Sequence, residues 1–233
     1  MTQTRTFKTI LLGMTIAVGM VAQTKTSHAQ DLQTLTVAGG CFWCVEADFE
    51  KVKGVKEAVS GFTGGTVENP TYKQVVRGGT GHVEAVQITY DPAQVSTDTL
   101  LSLFFRSVDP TDAGGQFCDR GFSYTTAIFA TPEQMAAAER AKAAAQADLG
   151  QTVVTPINAA VEFYPADGYH QDYSKQNTVI LPRLGPKSQA KAYTAHRQAC
   201  GRDARVKAQS GAPAPHGAPP SRASTHPMQL APY

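Results

Sequence analysis

Apolar and polar residues change their period several times between Leu32 and Lys207, and each change marks an element. Leu35-Thr36-Val37-Ala38 is a short apolar run ending in Gly39-Gly40, which predicts a strand and a turn. Apolar side chains then recur at Phe42, Val45, Phe49 and Val52, the spacing of one helix face, leaving Glu46, Asp48 and Glu50 as candidates for the exposed face. Val59 to Thr63 predicts another strand. The Gly-, Pro-, Asn- and Thr-rich stretch from Gly64 to Gly81 predicts a loop that carries Tyr72. From His82 to Tyr90 the sequence alternates: Glu84, Val86, Ile88 and Tyr90 share one strand face, and Val83, Ala85, Gln87 and Thr89 the other. Ser96 can cap a helix bearing Leu101, Phe104, Phe105 and Val108. After the loop DPTDAGGQFCDRGFS, Tyr124 to Ala130 returns as a strand. Thr131-Pro132-Glu133 opens an alanine-rich helix that Gly150 should stop. At least one more strand lies in Val153 to Phe163, and a last helix spans Lys187 to Cys200. Interleaved strands and helices of this kind predict one layered α/β or α+β domain.

The two ends follow no such period. Arg5 and Lys8 precede an uncharged run, Ile10 to Ala22, too short to span a bilayer comfortably, and Ser27-His28-Ala29 offers a small-x-Ala cleavage signal. Residues 1–29 therefore read as a secretory signal peptide rather than a membrane anchor, and no cysteine follows the run to carry a lipid. This predicts a secreted, periplasmic protein in a disulfide-permissive compartment. Residues 208–233, rich in Pro, Ala, Ser and Gly, read as a disordered tail. A domain over residues 32–207 remains. The net charge of +2 gives no reason to expect nucleic acid or an anionic membrane as partner.

Candidate chemistry centres on GGCFWCVE. Cys41 stands just after the glycine turn at a helix start, where free N–H groups and the helix dipole favour a thiolate. The effect is large: a thiol of pKa 8.5 is about 3% ionised at pH 7, one of pKa 7 about half. Cys44 lies one helical turn on, near enough for the sulfurs to meet. Phe42 and Trp43, the chain's one tryptophan, would give an apolar wall. Competing readings are a structural disulfide, a zinc site, for which no second Cys-x-x-Cys exists and Cys118 and Cys200 stand alone, and a thioredoxin-like motif, which normally has an aromatic where Gly40 stands. Glu84 shares its strand face with Val86 and Ile88; burial there would raise its pKa and make it a general acid, whereas a half-exposed sheet would make it an ordinary surface carboxylate. A nucleophilic thiol, an aromatic wall and a protonated acid suit an apolar group whose oxygen leaves as it is protonated, such as methionine sulfoxide.

The strings GGCFWCVE, SGFTGG, NPTYKQV, TGHVEAVQITYDP, LLSLFFRSVDPTD, DRGFSYTTAIF and FYPADGYHQDY, in unbroken order from Val37 to Asn177, resemble the peptide-methionine (S)-S-oxide reductases, the A-type methionine sulfoxide reductases. The resemblance implies a single-domain, ferredoxin-like α+β sandwich with a mixed sheet. It implies that Cys41 attacks the sulfoxide sulfur and becomes a sulfenic acid, that Phe42 and Trp43 hold the substrate methyl, and that Glu84 protonates the oxygen. Tyr72 and Tyr124 would hydrogen-bond that oxygen, and Asp119 would orient the substrate. It implies a monomer with no bound cofactor or metal, recycled by a thioredoxin-like or dithiol reductant. The chain departs from the pattern at Cys44, where many relatives have Gly or Ala, at Cys118 before Asp119, and at Val108, where His is frequent; Cys200 matches the family's recycling cysteines loosely. Three thiols can therefore resolve the sulfenic acid. The expected order is Cys200 first, Cys118 paired with it or relaying to it, and Cys44 last, because a bridge between residues three apart on a continuous helix is strained. The alternatives are a thiol–disulfide oxidoreductase using the Cys41–Cys44 pair and a disulfide-stapled binding module.

Overall fold

The structure, a computed structural model, describes residues 31–182 and 185–210. The expected signal peptide and most of the expected tail lie outside them. In chain order the elements are β1 (Gln33–Gly39), α1 (Phe42–Phe49), β2 (Val55–Thr63), α2 (Tyr72–Arg77), β3 (Val83–Tyr90), α3 (Thr97–Phe105), β4 (Gly115–Gln116) and β5 (Asp119–Arg120). A 3-10 turn, Phe122–Tyr124, leads to β6 (Thr126–Ala130), α4 (Pro132–Leu149), β7 (Ile157–Ala159), β8 (Phe163–Pro165), β9 (Val179–Ile180), β10 (Lys187–Ser188), α5 (Gln189–Ala199) and α6 (Arg202–Ser210).

Six strands form one sheet in the order β7-β6-β1-β3-β2-β8. All its pairings are antiparallel except β6 with β7, so the sheet is mixed and the fold is α+β. The alternation in β3 sets its sides. Val86, Ile88 and Tyr90 join Leu35, Val37, Phe42, Val45, Phe49 and the apolar stripe of α3 in the main core. Val83 and Ala85 face the other way, with Ala38, Ala127 and Phe129. Ser96 Oγ accepts the Thr99 N–H and caps α3. Gly150, in the left-handed region, stops α4.

Three expectations are corrected. The loop after β2 contains α2, whose start carries a reciprocal capping box between Thr71 and Gln74. Glu46 and Asp48 are buried, at 2% and 5% exposure, because α1 is covered on its outer side as well. Asp48 pairs with Arg197 of α5 at 2.9 Å, while Glu46 accepts from Ser60 Oγ and from the Asp172 N–H. Finally, the chain turns at Gly201 and continues as α6 to Ser210, three residues into the expected tail, where Arg205 and Gln209 bond Asp109 at 2.8 and 2.7 Å.

Candidate active site

The glycine turn aims the site. Gly40 has φ +80°, and a Cβ there would come within 2.5 Å of Gln116 Cβ, so glycine alone fits. The turn leaves Cys41 as the N-cap of α1, with φ −49° and ψ 114°, outside helical values and with no side-chain capping bond. Free N–H groups of the first turn therefore open toward the site. One of them, Phe42 N–H, donates to Glu84 Oε2 at 2.9 Å across from β3. Glu84 is only 1% exposed. Burial pushes its pKa well above the usual carboxylate range; the Phe42 N–H opposes this, and the nearby charge of Asp119 adds to it. The ordinary surface carboxylate is excluded.

Cys44 sits one turn on, and its sulfur hydrogen-bonds that of Cys41. Both thiols are free and buried. The hydrogen bond from Cys41 lowers the Cys44 pKa to about 6; burial opposes this, and Arg202, Arg197 and His196 assist. Cys41 is pushed well up by the same hydrogen bond, by burial, and by the charges of Cys44, Asp119 and Glu84. The two thiols therefore titrate as one hydrogen-bonded pair that shares a proton. The premise of strain between the two fails, because Cys41 lies outside the helix and only Cys44 within it.

Trp43 stacks on Tyr173, with ring centres 3.7 Å apart and planes at 7°, and its Nε1 donates to His170 Nδ1 at 3.2 Å. His170 lies 4.3 Å from the Tyr72 ring and 5.3 Å from Phe42. Phe42 is fully buried and backs this wall. Tyr72 and Tyr124 hydrogen-bond each other. Burial first, and then the charge of Glu84, raises both phenols and keeps them donors. The expected residues Cys41, Cys44, Glu84, Tyr72, Tyr124, Phe42 and Trp43 are thus brought together. Hollows of about 690 Å³ beside α3, α4 and α6 and about 510 Å³ beside Glu50 and Lys175 do not include Cys41.

Asp119 begins β5, directly after Cys118 in the tight β4–β5 hairpin. Cys118 is bonded to Cys200 at the C-cap of α5, with Cα atoms 4.9 Å apart. Asp119 Oδ2 lies 3.4 Å from His196 Nε2. Arg202, at 2% exposure, donates to the Gly39 carbonyl at 3.1 Å, and its Nε and Nη2 have no partner among the described residues. His170, His196, Arg197 and Arg202 were missed as site residues. They stand in FYPADGYHQDY and HRQACGRDAR, where no local period singles them out.

Paired thiols at a helix start, set against a buried carboxylic acid and an aromatic wall, define a thiol-based oxidoreductase. The model of the peptide methionine sulfoxide reductase family matches residues 33–200, and the chain belongs to that family. Peptide methionine sulfoxide reductase MsrA 2 of Rhizobium meliloti (strain 1021) is 45% identical over 182 residues, 78% of this chain and 85% of that protein. Among solved structures, methionine sulfoxide reductase A of Corynebacterium diphtheriae shares 32% identity with a TM-score of 0.57, covering 61% of this chain and 73% of that one. Mxr1 from Saccharomyces cerevisiae in reduced form shares 29% with a TM-score of 0.58, covering 61% and 83%.

Proposed function

We propose that this protein reduces methionine-S-sulfoxide, free or in proteins, to methionine, and so repairs oxidised proteins. The observation that carries this is the buried Glu84 carboxyl, held by the N–H beside Cys41. A protonated acid next to a nucleophilic sulfur is what sulfoxide reduction needs and simple disulfide exchange does not.

Substrate would rest its methyl on Trp43, with Phe42 behind. Its oxygen would accept hydrogen bonds from Tyr72 and Tyr124 and the proton of Glu84, while Asp119 orients the rest. The Cys44 thiolate takes the Cys41 proton along the existing hydrogen bond as Cys41 attacks the sulfoxide sulfur. The S–O bond breaks, methionine leaves, and Cys41 holds the oxygen as a sulfenic acid. The geometry favours Cys44 as first resolver, ahead of Cys200, since Cys44 already touches Cys41 and Cys200 is bonded to Cys118. Its sulfur displaces water from the sulfenic acid and forms the Cys41–Cys44 disulfide. Reducing equivalents come from an external thioredoxin-like dithiol, with no bound cofactor.

The leader-like residues 1–29 support export to the periplasm, and the Cys118–Cys200 disulfide suits that compartment. No helix of the described residues is long and apolar enough to cross a membrane. The protein is proposed to work as a monomer. The decisive assay is single-turnover consumption of the two methionine sulfoxide epimers. The S form should be consumed, and Cys41→Ser should abolish methionine formation. Residual first-turnover activity above a few per cent in that variant, or equal use of the R epimer, sinks the reading.

A further inference from the structure

Beside the Cys41 site lies a second cluster of reactive groups. Cys118, Asp119, His196 and Cys200 present side-chain atoms within 4.8 Å of one another. They come from two distant parts of the chain, the β4–β5 hairpin and the end of α5. The disulfide is asymmetric. Cys118 is exposed at the hairpin, whereas Cys200 is half-buried against His196. Cys200 Sγ lies 3.7 Å from Nδ1 and 3.6 Å from Nε2 of that ring, and Nε2 faces Asp119 Oδ2. With Nε2–H turned to the carboxylate, Nδ1 is the nitrogen left for the sulfur.

We propose that Cys118–Cys200 with His196 and Asp119 is a second catalytic centre, where a dithiol protein delivers reducing equivalents and His196 protonates the departing Cys200 sulfur. The proposal extends the recycling step given above. A donor thiolate attacks the exposed Cys118 sulfur and forms a mixed disulfide. The Cys118–Cys200 bond breaks, and its electron pair leaves on Cys200. His196 gives that sulfur a proton, and Asp119 stabilises the imidazolium beforehand. The donor's second thiolate then attacks its own bridged sulfur and releases Cys118, so that the donor leaves as a disulfide and two electrons stay on Cys118 and Cys200.

The electrostatics fit this role. Burial works against a charged His196, but the hydrogen bond and charge of Asp119 outweigh it and raise the pKa above the ordinary histidine value. The other groups facing the ring are Cys44 from α1, which adds to the rise, and Arg202 from α6, which opposes it. The balance favours an imidazolium beside the sulfur that must carry charge away. Selection of one sulfur by exposure, and of the other by an acid, gives exchange a direction that a symmetric surface disulfide lacks.

The test needs no sulfoxide, so its outcome is independent of the reductase reading. The full-length oxidised protein is mixed with dithiothreitol, and separately with glutathione, between pH 5.5 and 8.5. Opening of Cys118–Cys200 is followed by quenched alkylation and peptide mapping. The rate per donor thiolate should fall as pH rises through the His196 titration, and glutathione should be found on Cys118. His196→Asn and His196→Gln should each slow opening about 10- to 100-fold below neutral pH and abolish that pH dependence. Circular dichroism checks that both variants fold. Rates within twofold of wild type in either folded variant, a flat wild-type profile, or glutathione on Cys200 would overturn the proposal.

Discussion

Cys41 and Glu84 divide the work because their surroundings differ by a few ångströms. Cys41 stands at the open end of α1, where its side chain makes no capping bond and the Phe42 N–H is taken by the Glu84 carboxyl. That bond fixes the acid beside the nucleophile, and the main core on the same face of β3 keeps it protonated. Glu84→Gln keeps the size and one acceptor but loses the transferable proton. It should fold normally and slow single-turnover methionine formation about 10²- to 10⁴-fold. A rate within threefold of wild type would mean that another group supplies the proton.

Helix α1 has no free face, and its polar residues record that. Glu46, buried beneath Ser60 and the Asp172 N–H, has its pKa raised to about 7, with burial the main cause. In the unfolded chain the same carboxyl titrates in the ordinary range. Between that range and about pH 7 the folded protein therefore holds a proton that the unfolded chain has lost, and stability falls as pH rises through this window. The Cys44 thiolate acts with the opposite sign from about pH 6 upward, so the net curve mixes the two. Glu46→Gln isolates one of them. Relative to wild type the variant should gain about 1–3 kcal/mol on going from pH 5 to pH 8, read from urea unfolding at each pH. A constant difference across that range would show that Glu46 ionises freely.

Taken together, the two cysteine couples make the molecule a store of electrons. Each methionine formed consumes two, and four thiols hold four. Protein with Cys118–Cys200 oxidised should release about one methionine per chain without a donor, and protein fully reduced and then desalted about two. Equal bursts from both forms would show that the Cys118–Cys200 couple does not feed the site. The pH profile of the first turnover should be bell-shaped. Activity falls on the acid side as the thiol pair takes up its second proton near the Cys44 value of about 6. It falls on the alkaline side as Glu84 loses its proton above its raised pKa. A rate that stays level down to pH 5 would show that the Cys44 thiolate plays no part in activating Cys41.

Period and punctuation in the chain determined a good deal of this. The alternation from His82 to Tyr90 placed Glu84 on the face with Val86 and Ile88, since neighbouring side chains on a strand must point apart. Gly39-Gly40 ahead of a helical period placed Cys41 at a helix start, and Thr131-Pro132 with Gly150 bounded α4, because these are local backbone requirements. The burial of Glu46 and Asp48 was not legible. A single helix face reports the sheet beneath it and says nothing of a second layer supplied by Arg197, some 150 residues away. The Thr71/Gln74 capping box was local and readable, but the glycines and proline around it masked a helix of one and a half turns. Only the tertiary structure decided the electrostatics of the thiols. Cys118 and Cys200 stand alone along the chain and are bonded in space, and Arg197, His196 and Arg202 reach Cys44 from α5 and α6. Charge acts through distance, and a sequence gives distance only within an element; which thiol holds the proton is therefore set where separate elements meet.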